Sequence, residues 1–177
     1  MVKKRFATVW LDGCSGCHMS FLDMDEKILE ILEYFDIVYS PIVDFKEFPE
    51  EVFITLVEGA VSSVDDLDKI KKIRKKSSYL VSIGDCAITR NVTSMRNSFK
   101  LADVLDCGYL KNTDIHTELD KENVPKLLEK VFPVHEVVNV DYFLPGCPPP
   151  ADAFYQFIKS IIENKPFEST QYTRFGK

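Results

Sequence analysis

Positive charge is in deficit: 22 Lys and Arg stand against 28 Asp and Glu, and the net charge of -6 with a pI near 5.1 argues against a nucleic-acid surface. Long apolar runs are missing too. None approaches the roughly 18 residues that a membrane span needs. The basic start Lys3-Lys4-Arg5 leads only into the short run Phe6 to Leu11 and then Asp12-Gly13, with no small-residue cleavage site and no twin-arginine pair. No secretory leader is expected, and the chain is expected in the cytoplasm, where thiols stay reduced and grouped cysteines more often serve metal or redox chemistry than disulfides. Internal repeats and low-complexity linkers are absent. The 45% hydrophobic and 28% charged composition excludes disorder and collagen and suits a globular protein. At 177 residues two full domains would be cramped. The expectation is a single domain over 1–177, with a core over about 5–163 and a C-terminal extension over about 164–177.

Short apolar segments alternate with amphipathic ones. FATVWL at 6–11 reads as a strand that breaks at Asp12-Gly13, and FLDMDEKILEILEYF at 21–35 carries Leu22, Ile28, Leu29, Ile31, Leu32 and Phe35 at helical spacing. DIVYSPIVDF at 36–45 reads as extended, VFITLV at 52–57 as a third strand and DDLDKIKKIRKKS at 65–77 as a polar helix. YLVSIG at 79–84 and VVNVDYFLPG near 137–146 are further strands, and a last amphipathic helix covers about 151–163. Residues 87–125 are less regular; Arg90 to Lys100 fits a helix and the segment after Cys107 a loop. Strands alternating with helices predict an α/β fold: a mainly parallel central sheet in three layers with right-handed crossovers, flavodoxin-like in arrangement.

Four of the five cysteines follow predicted strands. Cys14 and Cys17 come after the first, Cys86 after the fourth and Cys147 after the fifth. Open α/β sheets bind ligands at that carboxyl edge, so cysteines far apart in sequence would meet on one rim. Four thiolates suit a 4Fe-4S cluster or a tetrahedral zinc. Zinc sites usually use two close pairs, and only Cys14 and Cys17 are close here, which favours the cluster; a zinc-stabilised binding or assembly module stays as the alternative. A thioredoxin-like dithiol would explain Cys14 and Cys17 but gives no work to Cys86 and Cys147. Cys107 lacks a strand-end setting and reads as a small packed apolar side chain.

The segments CSGCHMSFLDMDE at 14–26, LVEGAV at 56–61, GDCA at 84–87 with NVTSMRN after it, and LPGCPPP at 144–150 resemble the small subunit of NiFe hydrogenases. Within that family the HMSFLD run and the short length are most similar to the small subunit of NAD-reducing, bidirectional soluble enzymes. The resemblance implies a flavodoxin-like fold in which Cys14, Cys17, Cys86 and Cys147 ligate one proximal 4Fe-4S cluster. It further implies a NiFe centre on a separate large subunit, and diaphorase subunits carrying iron-sulfur clusters and FMN that reduce NAD. The chain would be part of an enzyme without being catalytic alone. Longer relatives carry further clusters, and here one cysteine is left over, so electrons would have to pass directly into a neighbouring protein. A ferredoxin or deazaflavin acceptor is the other option. The related quinone-reductase subunit of respiratory complex I uses adjacent cysteines, unlike the spaced pair Cys14 and Cys17.

Glu58, in the glutamate-glycine motif, is expected on the same rim near the large-subunit interface, in a proton or hydrogen-bond path or as an interface carboxylate paired with an arginine or a backbone N–H. His18 is either a local hydrogen-bonding residue or a group facing the cluster. Gly13, Gly16, Gly84 and Gly146 would let backbone N–H groups approach the sulfurs, or simply make turns. Trp10 reads as core or interface packing, and the run Lys69 to Lys76 as a solvated helix face.

Overall fold

The chain is described by a computed structural model over residues 2–112, 114 and 124–176. In chain order the strands are β1 (Lys4–Trp10), β2 (Phe35–Tyr39), β3 (Val52–Glu58), β4 (Val61–Ser63), β5 (Ser77–Ile83), β6 (Leu127–Phe132) and β7 (Tyr142–Leu144). The α-helices are α1 (Gly16–Leu22), α2 (Lys27–Leu32), α3 (Val64–Lys76), α4 (Gly84–Thr89), α5 (Leu101–Asp106), α6 (Val134–Val137) and α7 (Ala151–Glu163). Five strands form one sheet in the order β2-β1-β3-β5-β7, every pair parallel. This is the flavodoxin-like order, and it reverses direction at β1 and β3, whose carboxyl ends flank the usual ligand crevice.

Side-chain alternation along the strands divides the core between two faces. Phe6, Ile54, Leu56, Val81, Ile83 and Leu144 meet Phe21 and Ile31 from α1 and α2, and Phe154, Phe157 and Ile158 from α7. On the other face Val9, Val57 and Leu80 pack with Ile70 and Ile73 of α3, Ala87 of α4 and Val134 of α6. Parallel strands covered on both sides read as unbroken apolar runs, which is why VFITLV lacks polar alternation.

Packing, more than helix propensity, holds the elements nearest the cysteines. At seven residues α1 is too short to persist alone. Its Phe21 is 5% exposed and sits 5.8 Å from the Phe6 ring and 5.9 Å from the Phe154 ring, an anchor that contributes about 2–3 kcal/mol. The longer α3 needs less help: Ser63 and Asp66 form a reciprocal capping box, and Arg74, Lys75 and Lys76 fill the last turn. The predicted solvated face of this helix is correct, with Lys71, Lys72 and Lys75 exposed.

Several predicted elements differ from the structure. The single helix over 21–35 is two helices, because Asp25 takes a left-handed φ of 50° and turns Met24 into the core; Leu29, counted on the apolar face, is exposed. The extended segment 36–45 keeps strand geometry only to Tyr39, and the strand near 137–146 shrinks to Tyr142–Leu144. Arg90 to Lys100 forms a 3-10 helix over Asn91–Ser98 instead of an α-helix. The antiparallel ribbon of β4 and β6 was not predicted; three residues of β4 carry too little pattern. Of the predicted loop after Cys107, residues 107–111 form a π-helical turn, while 113 and 115–123 lie outside the described residues. The extension from Lys165 packs back on the body through Phe167, whose ring lies 5.3 Å from Phe157. Among the described residues no helix is long and apolar enough to cross a membrane.

Candidate metal centre

Four of the five strand ends on the carboxyl edge, those of β1, β3, β5 and β7, deliver a piece of the site. The loop after β1 carries Cys14 and leads into α1 with Cys17 in its first turn; α4 begins directly after β5 and carries Cys86; the loop after β7 carries Cys147. All four are free thiols: Cys17 is buried, Cys86 half-buried, Cys14 and Cys147 exposed. They come close enough to act on one another. Burial pushes the Cys17 thiol up, and the charges of Glu58, Cys86, Cys14 and Cys147 push it further. Burial also raises Cys86, with Cys147 and Cys14 adding to it, while a hydrogen bond from the Val92 backbone opposes the shift.

The loops carrying the thiols are tied to one another. Asp85, 4% exposed, receives the Gly146 N–H on Oδ1 at 2.7 Å, and its own N–H donates to the Gly146 carbonyl at 2.8 Å. This reciprocal pair holds the loops of Cys86 and Cys147 in register. Its second oxygen accepts the Gly176 N–H at 2.7 Å, so the C-terminal segment closes on the same residue. Ser20 of α1 donates to the Pro149 carbonyl at 2.6 Å and joins the Cys17 helix to the Cys147 loop. Sequence reasoning passed over Asp85 and Ser20; the Gly-Asp-Cys triplet at a strand end was the available signal for the former.

Gly84 shows how tightly the thiols are housed. A Cβ there would fall 2.2 Å from Cys17 Sγ, and its φ of +79° belongs to the left-handed region. Only glycine meets both demands. Gly146 also has positive φ, at 138°.

Glu58 closes β3 at 2% exposure. Its Oε2 accepts the His18 backbone N–H at 3.0 Å and also contacts His18 Nδ1. Of the two expected partners, an arginine or a backbone N–H, the carboxylate thus takes the backbone N–H, that of His18, and it fixes the turn that carries Cys17. His18 is buried and its Nε2 has no protein partner. Trp10 is 42% exposed and donates from Nε1 to the Gly13 carbonyl at 3.1 Å, so it braces the loop instead of joining the core. Cys107 is exposed, not packed, because the π-helical turn that carries it lies off the core; Asn112 Nδ2 lies 3.4 Å from its sulfur. Among the described residues, no group of three or more His, Cys, Asp and Glu side chains could hold a single metal ion.

A family model, the NADH ubiquinone oxidoreductase 20 Kd subunit, matches residues 14–161, which includes all four cysteines of the rim. The NAD-reducing hydrogenase HoxS subunit delta of Cupriavidus necator is 38% identical over 171 residues, covering 94% of this chain and 82% of that protein. The chain belongs to the 20 kDa subunit family, on its hydrogenase branch. A further member, a subunit of the vhu F420-non-reducing hydrogenase of Methanocaldococcus jannaschii, is 40% identical over 147 residues; the match covers 82% of this chain and only 51% of that protein. Among solved structures, this family member superposes on a chain of an NAD+-reducing NiFe-hydrogenase in the H2-reduced state with a TM-score of 0.91 and 34% identity, covering 98% of this chain and 99% of that one. A NiFeSe-hydrogenase chain from Dm. baculatum, 17% identical with a TM-score of 0.60 and 63% of its length covered, shares the fold.

Proposed function

We propose that this chain is the electron-relay small subunit of a cytoplasmic NiFe hydrogenase. It would work between the NiFe centre of a large subunit and a diaphorase module carrying iron-sulfur clusters and FMN, in the reversible reaction of H2 with NAD+ to give NADH and a proton. Cys14, Cys17, Cys86 and Cys147 would hold one 4Fe-4S cluster. The observation that carries this reading is the meeting of four thiols from three separate strand ends on one rim. The charges of Cys14 and Cys147 add to the burial that raises the Cys17 and Cys86 thiols. Four-cysteine zinc sites usually use two close pairs, and only Cys14 and Cys17 are close in sequence, which favours a multinuclear group over the zinc alternative. Gly84, lacking a Cβ, leaves the room that the Cys17 sulfur occupies.

When bound, such a cluster accepts and releases single electrons at a potential set by its charge, hydrogen bonds and exposure. The protein's part is positional. Glu58 and His18 hold the Cys17 turn, Asp85 locks the Cys86 and Cys147 loops, and Phe21 roots α1 in the core. The reading is tested by anaerobic purification through a tag on this chain, with iron, sulfide, nickel and zinc assayed and copurifying chains identified. About four irons and four sulfides per chain, lost on replacing any of the four cysteines by serine and retained in Cys107→Ser, is the expected result. A nickel-bearing large subunit and a flavin-bearing partner are expected to copurify. Zinc without sulfide overturns the reading, and a ferredoxin-type or deazaflavin partner would replace the NAD-linked acceptor.

A further inference from the structure

The turn that follows α4 is strained without any need of the core. Arg90 has φ 70° and Asn91 φ 30°, two consecutive non-glycine residues in the left-handed region. An L residue is strained in this conformation, and asparagine is among the few that tolerate it. The turn is nonetheless held firmly. Thr93 Oγ1 donates to the Arg90 carbonyl at 2.6 Å and Ser94 Oγ to the Asn91 carbonyl at 2.9 Å. The 3-10 helix beyond it is pinned to the β4 and β6 ribbon: Arg96 donates to the carbonyls of Leu128 and Ser62 at 2.9 and 3.0 Å, and Asn97 exchanges two hydrogen bonds with the Val131 backbone.

What the strained turn achieves is visible at the thiols. The Asn91 side-chain amide lies 3.7 Å from Cys147 Sγ, within donor reach of sulfur, and the Val92 backbone acts on Cys86 in the same sense, opposing the rise that burial gives its thiol. One turn thus supplies donors to two thiols that arrive from different strand ends. Neither donor comes from the residues beside those cysteines in sequence.

We infer that the Arg90–Val92 turn sets the potential of the electron relay, with Asn91 as a hydrogen-bond donor to the Cys147 thiolate. This rests on the reading of the four cysteines as cluster ligands. A donor to a ligand sulfur favours the state with more negative charge, which is the reduced one, so removing it lowers the midpoint potential. The β4 and β6 ribbon then has a purpose: it holds the donors still.

The test is a redox titration by electron paramagnetic resonance on the complex purified through this chain, with the signal assigned by its loss in Cys147→Ser. Asn91→Gly keeps the left-handed backbone comfortable and deletes the donor; Asn91→Asp keeps the shape and puts an anionic oxygen against the sulfur. Both are expected to retain the iron and sulfide content of the wild type. At a fixed solution potential the reduced-to-oxidised ratio is expected to fall by up to about tenfold in the glycine variant, about 59 mV for a one-electron couple, and further in the aspartate variant. Loaded variants whose midpoint matches the wild type overturn the inference alone. If Asn91→Gly loads less iron, Asn91→Asp is read by the same criterion. A wild-type complex without a signal that depends on Cys147 overturns the cluster reading and this inference together.

Discussion

Replacing Gly84 by alanine puts the housing of the thiols to a direct test. The added Cβ would lie 2.2 Å from Cys17 Sγ, whereas ordinary contact begins at 3.4 Å. The sulfur must therefore retreat by more than about 1 Å, and metal-ligand distances tolerate only about 0.2 Å. Retreat is difficult, because Cys17 is 8% exposed on a helix rooted by Phe21. The backbone adds its own cost: at φ +79° an alanine loses about 1–2 kcal/mol relative to glycine. Overpacking contributes about 1–3 kcal/mol more. Together these come to about 3 kcal/mol, and for a chain of this size each kcal/mol moves Tm by about 2–4 °C. The expected result for Gly84→Ala is a Tm lower by about 6–12 °C and loss of most of the iron and sulfide after anaerobic purification. A variant with full iron content and unchanged Tm would show that Cys17 is not confined as described.

Asp85→Ala removes the acceptor of the Gly146 and Gly176 N–H groups. It is expected to cost about 2–3 kcal/mol and to expose the C-terminal segment to limited proteolysis; an unchanged cleavage pattern would refute the clamp. Glu58→Gln retains the size and one acceptor for the His18 N–H, so iron content should hold while hydrogen turnover slows. Turnover equal to wild type would remove any proton-path role for Glu58. In the cluster-free chain, burial raises Cys17 and Cys86 above their ordinary thiol value of 9.0. The folded state then binds these protons more tightly than the unfolded one, so the stabilisation is complete below about pH 9 and is lost as pH climbs toward the raised values. Urea midpoints of the cluster-free chain should fall from pH 8 to pH 10, and less steeply in Cys17→Ser; equal slopes would contradict this.

The α/β class, the parallel sheet and the convergence of Cys14, Cys17, Cys86 and Cys147 were legible in the chain, because buried parallel strands are continuous apolar runs and ligand loops follow their ends. Local pattern sufficed there: the ends of β1, β3, β5 and β7 are marked by Asp12-Gly13, Glu58-Gly59, Gly84-Asp85 and Pro145-Gly146. Pattern failed where geometry depends on residues distant in sequence. Asp25 breaks a helix whose apolar spacing runs straight through it, because Met24 finds the core by turning inward. The ribbon of β4 and β6 joins a three-residue strand to one more than 60 positions away, so no local window contains it.

The same limit applies around the thiols. Residue types and order alone determined which sulfurs are available and on which edge of the sheet they arrive, since a strand's direction dictates where its loop emerges. Only the tertiary structure decided that Glu58 pairs with His18, that Asp85 binds two loops at once and that Asn91 reaches Cys147. Hydrogen bonds are directional and short, so which donor meets which acceptor across separate loops follows from three-dimensional position and not from spacing along the chain.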